Sequence, residues 1–314
     1  MMGFFSSEVR ESKNEEILHP ILKEAKVSLY IKREDLIHEH ISGNKFRKLK
    51  YNLLEAKRKG CDTILTFGGA YSNHIAATAA AGKLVGLHSI GVIRGDELAK
   101  DLDRTLSEND TLRFASDNGM KLKFVSRNDY KQKTSEYFLE SLKREFGLFY
   151  CVPEGGTNDL AVRGCEEILT TDDGMFDYIC CAIGTGGTIS GIINASLTHQ
   201  NIIGFPALKG DFLSDEIKKY THKTNWSLTK EYHFGGYGKI NSTLIEFINT
   251  FKQEQNIALD PIYTGKMLYG LFDSIQNGTF TKNTRILAIH TGGLQGILGM
   301  NKKLSKKKLP LITI

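Results

Sequence analysis

The 314-residue sequence reads as an α/β protein with open, mostly parallel sheets flanked by helices. Three observations predict this. Apolar runs of strand length alternate with helical patterns almost throughout, as βαβ units require. Glycines concentrate just past the strand candidates, at 68–69, 155–156, 184–191, 235–238 and 292–293, and parallel sheets bind ligands beyond the carboxyl ends of their strands. With only 5 prolines and no long Pro/Ser/Gly-rich linker, any domain boundary must be crossed by short, ordered connections.

In chain order, an apolar strand at 27–31 is followed by the turn Ser42-Gly43-Asn44 and a helix over 45–59. A strand at 63–67 leads through glycines into an Ala-rich helix over 73–85. Strands at 89–93, 121–125 and 148–152 then alternate with helical patterns at 103–118, 130–146 and 159–169. The apolar run 178–183 precedes a glycine-rich turn and a helix at 188–196. Strands at 201–205 and 285–289 complete the set, with helices at 215–221, 242–254 and 266–276. No internal repeat or low-complexity segment interrupts this alternation.

Composition narrows the function. At 40% hydrophobic content the chain can bury a large core. Its net charge of +5 is spread among 25% charged residues of both signs, so no nucleic-acid partner is indicated. The one dense basic run, Lys302, Lys303, Lys306, Lys307 and Lys308, reads as a solvated helix end or tail. Five cysteines without metal-ligand spacing, two of them (Cys180 and Cys181) in an apolar run, suggest reduced thiols and no metal. The opening residues, Met1 to Glu8, turn polar at once, and no stretch approaches a membrane span, so a soluble, cytoplasmic protein is expected.

Four stretches carry chemistry. In Ser42-Gly43-Asn44-Lys45, small turn-forming residues set a lysine at a helix start. There the helix dipole and partial burial disfavour the ammonium, leaving an amine able to attack an aldehyde; we read Lys45 as the residue that holds pyridoxal 5′-phosphate (PLP) as a Schiff base. Gly184-Thr185-Gly186-Gly187-Thr188, between a strand and a helix, suits a phosphate. It lacks the lysine of a Walker loop, and Ile189 stands where a dinucleotide fingerprint needs its third glycine, which weakens an NAD reading. Gly68 to His74 places Ser72 or Asn73 at a helix N-cap, where hydroxyl and amides could also bind a carboxylate. No serine-hydrolase elbow surrounds Ser72. Late in the chain, Tyr237 is flanked by glycines and Tyr263 sits between Pro261 and Gly265, positions that fit either packing or presentation of a phenol.

In order, SGNKFRKL, GGAYSNH, VPEGGTN, GTGGT, GGYG, DPIYTGK and HTGG resemble the fold-type-II PLP enzymes, specifically the 1-aminocyclopropane-1-carboxylate deaminase and D-cysteine desulfhydrase family. The resemblance implies a tryptophan synthase β-like fold and PLP as cofactor. It matches Lys45 to the Schiff-base lysine, Lys48 to a phosphate-contacting lysine, and Asn73 to the residue beside the cofactor's 3′-oxygen. Ser72 matches the catalytic and carboxylate-binding serine, and Thr185, Gly186, Gly187 and Thr188 match the phosphate loop. Tyr237 and Tyr263 match the two active-site tyrosines; Ser72, Asn73, His74 and Tyr263 are expected to meet the substrate. Thr264 stands where the cyclopropane deaminases have glutamate, so Thr264 or Thr291 is expected at the ring nitrogen, as in the desulfhydrase branch. Tyr71 and Ala76 depart from the family's glutamine and arginine.

The activity implied is α,β-elimination from a small amino acid, D-cysteine to pyruvate, ammonia and sulfide, with 1-aminocyclopropane-1-carboxylate deamination to 2-oxobutanoate and ammonia as the alternative. The freed Lys45 or a tyrosine phenolate is expected to take the Cα proton. A large PLP-binding domain of 1–47 and 156–314, a small α/β domain of 48–155, and a homodimer are expected.

Overall fold

The computed structural model describes residues 9–314, so the Met1 to Glu8 segment lies outside the described residues. Among them, ten strands form two sheets. The six-stranded sheet runs, in spatial order, β1 (Asn14–Ile17), β2 (Ser28–Lys32), β10 (Arg285–Ile289), β7 (Tyr178–Ile183), β8 (Asn201–Pro206) and β9 (Trp226–Leu228). β1 pairs antiparallel with β2 and every other pairing is parallel. The four-stranded sheet, β5 (Met120–Val125), β4 (His88–Arg94), β3 (Thr63–Gly69) and β6 (Tyr150–Val152), is parallel throughout.

Both faces of the larger sheet are buried at its centre, which explains why β7 and β10 are almost continuously apolar. Leu29 and Ile31 of β2, Cys180 of β7 and Ile286 and Ala288 of β10 enter one core. Their neighbours Ile179, Cys181, Ile183, Leu287 and Ile289 enter the other. Adjacent cysteines thus face opposite cores, as the period of two demands.

Helices cover these faces and start where the sequence supplies caps. α2 (Asn44–Arg58) follows Gly43; α3 (Asn73–Val85) is capped by Ser72, whose Oγ accepts from Ile75 N at 3.4 Å; α9 (Gly187–Ala195) follows the glycine loop. Two helices expected to be continuous are split. Asn109, in extended backbone, separates α4 (Leu102–Glu108) from α5 (Asp110–Asp117), and its side chain accepts from Leu112 N at 3.0 Å. Ser135 likewise caps α7 (Glu136–Phe146), separating it from α6 (Arg127–Lys131). In both, side-chain capping outcompetes helix continuation.

α1 (Pro20–Ala25), β1, β9 and α13 (Gly296–Lys306) were not expected from the sequence pattern. The basic run forms the end of α13 and the residues just after it, but Lys302 is not simply solvated. It donates to Asp110 Oδ2 at 2.8 Å and to the Glu108 carbonyl at 2.9 Å, tying α13 to the α4–α5 corner.

Candidate active site

The carboxyl ends of β3, β4, β7 and β10 open into one cleft of about 600 Å³, large enough for a cofactor with a small substrate. At its floor the chain enters α2 through Gly43, which has φ +61°. A Cβ there would lie 2.0 Å from the Thr291 carbonyl oxygen, so only glycine lets this turn meet the loop after β10. Lys45, the second residue of α2, extends Nζ to 3.4 Å from the Gly155 carbonyl. Burial lowers its ammonium to about 7, and nearby Lys48 pushes the same way. A substantial neutral fraction therefore exists near pH 7.

One turn on, Lys48 is 2% exposed. Its Nζ contacts only neutral oxygens: the Gly155 carbonyl at 3.1 Å, Thr157 Oγ1 at 2.9 Å and Thr185 Oγ1 at 3.4 Å. Burial lowers its pKa as well. The thiols nearest it, Cys165 and Cys181, are raised by burial and offer no counter-charge. A desolvated cation without an anion is costly. Around it, Gly186 at φ +87° turns the chain so that α9 begins at Gly187 with its amides unbonded. Asn44 Nδ2 fixes the Thr188 hydroxyl at 2.8 Å. The cradle fits a phosphate dianion.

On the opposite wall, Ser72 Oγ caps α3 through a lone pair, leaving its proton free to donate. Asn73 lines the cleft and packs against Gly293, where a Cβ would lie 2.6 Å from its Nδ2. His74 is buried, with Nε2 2.8 Å from Thr66 Oγ1. Burial, with Lys45 and Lys48 beside it, holds it well below the usual imidazole range. It therefore stays neutral, with Nε2 committed to Thr66, while the residue still lines the cleft.

Tyr263 is the N-cap residue of α12 (Thr264–Gln276) and lies against the start of the glycine loop: a Cβ on Gly184 would be 3.1 Å from its hydroxyl. Tyr237 meets it edge to face, ring centres 6.2 Å apart. Burial raises the Tyr263 phenol well above its ordinary value, and burial also raises that of Tyr237. Both remain protonated at neutral pH, so they are donors, which disfavours the phenolate among the two bases expected.

Thr264 departs from its expected place. It is fully buried, donates through Oγ1 to Asp260 Oδ2 at 2.7 Å and accepts from Asp260 N at 3.0 Å. The Asp260 carboxylate also accepts from the amides of Ile262, Tyr263 and Thr264. This network closes the start of α12 and turns Thr264 away from the cleft. Thr291 does line the cleft. Sequence reasoning assigned no ligand-binding role to Asn44, Gly155 or Thr157, nor to the cleft-lining Arg94, Glu154 and Lys303, although Asn44 stands in the motif SGNKFRKL and Glu154, Gly155 and Thr157 in VPEGGTN.

An amine poised near neutrality, one helical turn from a buried cation that lacks a counter-ion, calls for a ligand bringing both an aldehyde and a phosphate. At the strand ends of open parallel sheets, this defines a PLP-dependent enzyme. Residues 16–292 match the family described as "Pyridoxal-phosphate dependent enzyme", and the chain belongs to it. It is 33% identical over 294 residues to the bifunctional D-cysteine desulfhydrase/1-aminocyclopropane-1-carboxylate deaminase of Arabidopsis thaliana, covering 86% of this chain and 73% of that protein. It is 29% identical to a D-cysteine desulfhydrase of Yersinia pestis, covering 84% and 86% of the two chains. A crystal structure of an ACC deaminase homologue superposes with a TM-score of 0.79 at 30% identity, covering 97% of this chain and 98% of that one.

Proposed function

We propose that the protein is a PLP-dependent lyase that eliminates a β-substituent from a small amino acid, with D-cysteine to pyruvate, ammonia and sulfide as the reaction. One observation carries this choice. The only acidic side chain lining the cleft among the described residues is Glu154, which Tyr130 and Lys133 engage at 2.8 and 3.3 Å. The Asp260 carboxylate is consumed by the amides of Ile262, Tyr263 and Thr264 and by the Thr264 hydroxyl, so the hydroxyl of Thr291 would be left to meet the ring nitrogen. A neutral donor stabilises a pyridinium poorly, which favours substrates with a good leaving group over a cyclopropane.

When bound, PLP supplies an electron sink for charge developing at Cα. Lys48, Thr185, Thr188 and the amides of Gly186 and Gly187 hold the phosphate end. Lys45 would hold the cofactor's aldehyde end and would take the Cα proton, since its lowered pKa suits a base near neutral pH. The Ser72 hydroxyl and the amides of Asn73 and His74 would receive the carboxylate, and Asn73 would, as the family resemblance implies, serve the cofactor's 3′-oxygen. Tyr263, with Tyr237 behind it, donates a proton to the departing sulfur.

The names of the Arabidopsis relative and of the solved neighbour support the second reading, deamination of 1-aminocyclopropane-1-carboxylate to 2-oxobutanoate and ammonia. The test is a keto-acid assay of the yellow holoenzyme with D-cysteine, L-cysteine, D-serine and 1-aminocyclopropane-1-carboxylate. The expected result is the highest kcat/KM for D-cysteine; a preference for the cyclopropane would install the second reading.

A large domain of 1–47 and 156–314 and a small one of 48–155 are supported by the four-stranded sheet, whose strands all fall between Thr63 and Val152. A cytoplasmic setting is supported by five free cysteines. No helix among the described residues is long and apolar enough to cross a membrane. The homodimer rests on the family resemblance alone.

A further inference from the structure

Lys266, the third residue of α12, is 2% exposed, yet no ion pair joins it to an acid among the described residues. Its Nζ donates instead to two backbone carbonyls, His233 at 2.9 Å and Gly236 at 2.8 Å. Both belong to the irregular segment that carries Tyr237. Phe234, Gly235, Gly236 and Gly238 of that segment all have positive φ, at 52°, 87°, 111° and 66°. A glycine-rich stretch of this kind has little conformational preference of its own, so its shape depends on external ties.

Those ties run mainly to one helix. Tyr232 donates to Asp273 at 2.7 Å, and its ring lies where a Cβ on Gly270 would stand 2.5 Å away. Lys266 makes the tie closest to Tyr237, on the carbonyl immediately before it. The same helix presents Tyr263 at its N-cap, three residues before Lys266. α12 thus offers one phenol directly and fastens the other through a buried ammonium.

We propose that Lys266 is a positioning residue for Tyr237, setting it against Tyr263. The consequence for turnover rests on the role given above to Tyr237. A charged donor is suited to the task because hydrogen bonds from an ammonium are stronger than those from a neutral group, and two carbonyls converging on one nitrogen fix direction as well as distance.

The test is a double-mutant cycle in the holoenzyme with D-cysteine. Lys266→Met should lower kcat about tenfold or more, with KM within about twofold and the PLP absorbance retained. Tyr237→Phe should lower kcat by itself. The double variant should lose less than about twofold beyond the worse single, since residues that act through one another are not additive. Multiplying losses, or wild-type kcat in Lys266→Met beside a slowed Tyr237→Phe, would overturn the proposal. Hydrogen exchange of amides 233–238 separates it from the reading of Tyr237. Faster exchange confined to this segment in Lys266→Met supports the tie even where Tyr237→Phe proves active, an outcome that would sink the role of Tyr237 alone. Unchanged exchange overturns the tie. Should Lys266→Met fail to fold, Lys266→Gln, which keeps a shorter donor, takes its place in both measurements, with smaller changes of the same sign expected.

Discussion

Removing the Lys45 amine should stabilise the apoprotein, and the gain should shrink as pH rises. Burial, aided by Lys48, lowers its pKa from an ordinary 10.5 to about 7. The sign follows from linkage: between those values the unfolded chain binds a proton that the folded chain does not, so folding becomes more favourable with increasing pH. Below pH 7 the folded protein must hold a desolvated ammonium at full cost. With these two values the penalty is about 5 kcal/mol at pH 6 and about 2 kcal/mol at pH 9, a change of about 3 kcal/mol. Denaturant unfolding of cofactor-free wild type and Lys45→Met at both pH values measures it, because the other titrating residues are present in both proteins and only the neighbours that feel Lys45, such as His74, respond to its removal. The variant should be more stable at pH 6 by a few kcal/mol and its advantage roughly halved at pH 9. Equal stability differences at both pH values, or a variant less stable at pH 6, would refute the argument that burial prepares this amine.

Two further outcomes follow from the same geometry. Lys48→Met should weaken PLP binding by a factor of tens to hundreds, because a charge-assisted contact to the phosphate is worth about 2–3 kcal/mol; PLP titration of the apoprotein reads this, and unchanged affinity would remove Lys48 from the phosphate site. Thr264→Val should destabilise the fold by about 1–3 kcal/mol through the hydrogen bonds lost to Asp260, while leaving the substrate ratio unchanged; a shifted D-cysteine to cyclopropane ratio would return Thr264 to the ring nitrogen.

What the sequence discloses differs between sheet, helix ends and site. The runs 178–183 and 285–289 coincide with β7 and β10, because both faces of those strands are buried and the whole run must be apolar. β1 buries only Ile17 of its four residues and β9 is a three-residue edge strand, so neither carries an apolar signature. The split at Asn109 was hidden because an asparagine within a helical pattern can continue or cap it, and packing decides. In the site, Lys45, Lys48, Ser72, Asn73, Thr185, Thr188, Tyr237, Tyr263 and Thr291 all line or border one cleft. Thr264 was misplaced by one position of helical phase: Tyr263 faces the cleft while its neighbour turns to Asp260, a choice set by the Asp260 network and invisible in residue order. Lys266 carries no signal in the sequence because a lysine is a surface residue by default, and the two carbonyls it meets come together only in the folded chain.

The contact between Lys302 and Asp110 spans the two sheets' helical layers, joining α13 to the corner of α4 and α5. Its lysine and aspartate side chains are 45% and 26% exposed. An ion pair so open to water contributes at most about 1 kcal/mol and weakens as salt is added. That energy corresponds to about a fivefold change in an equilibrium constant. The tie between α13, which borders the cleft through Lys303, and the corner of α4 and α5 is therefore one that rising ionic strength loosens.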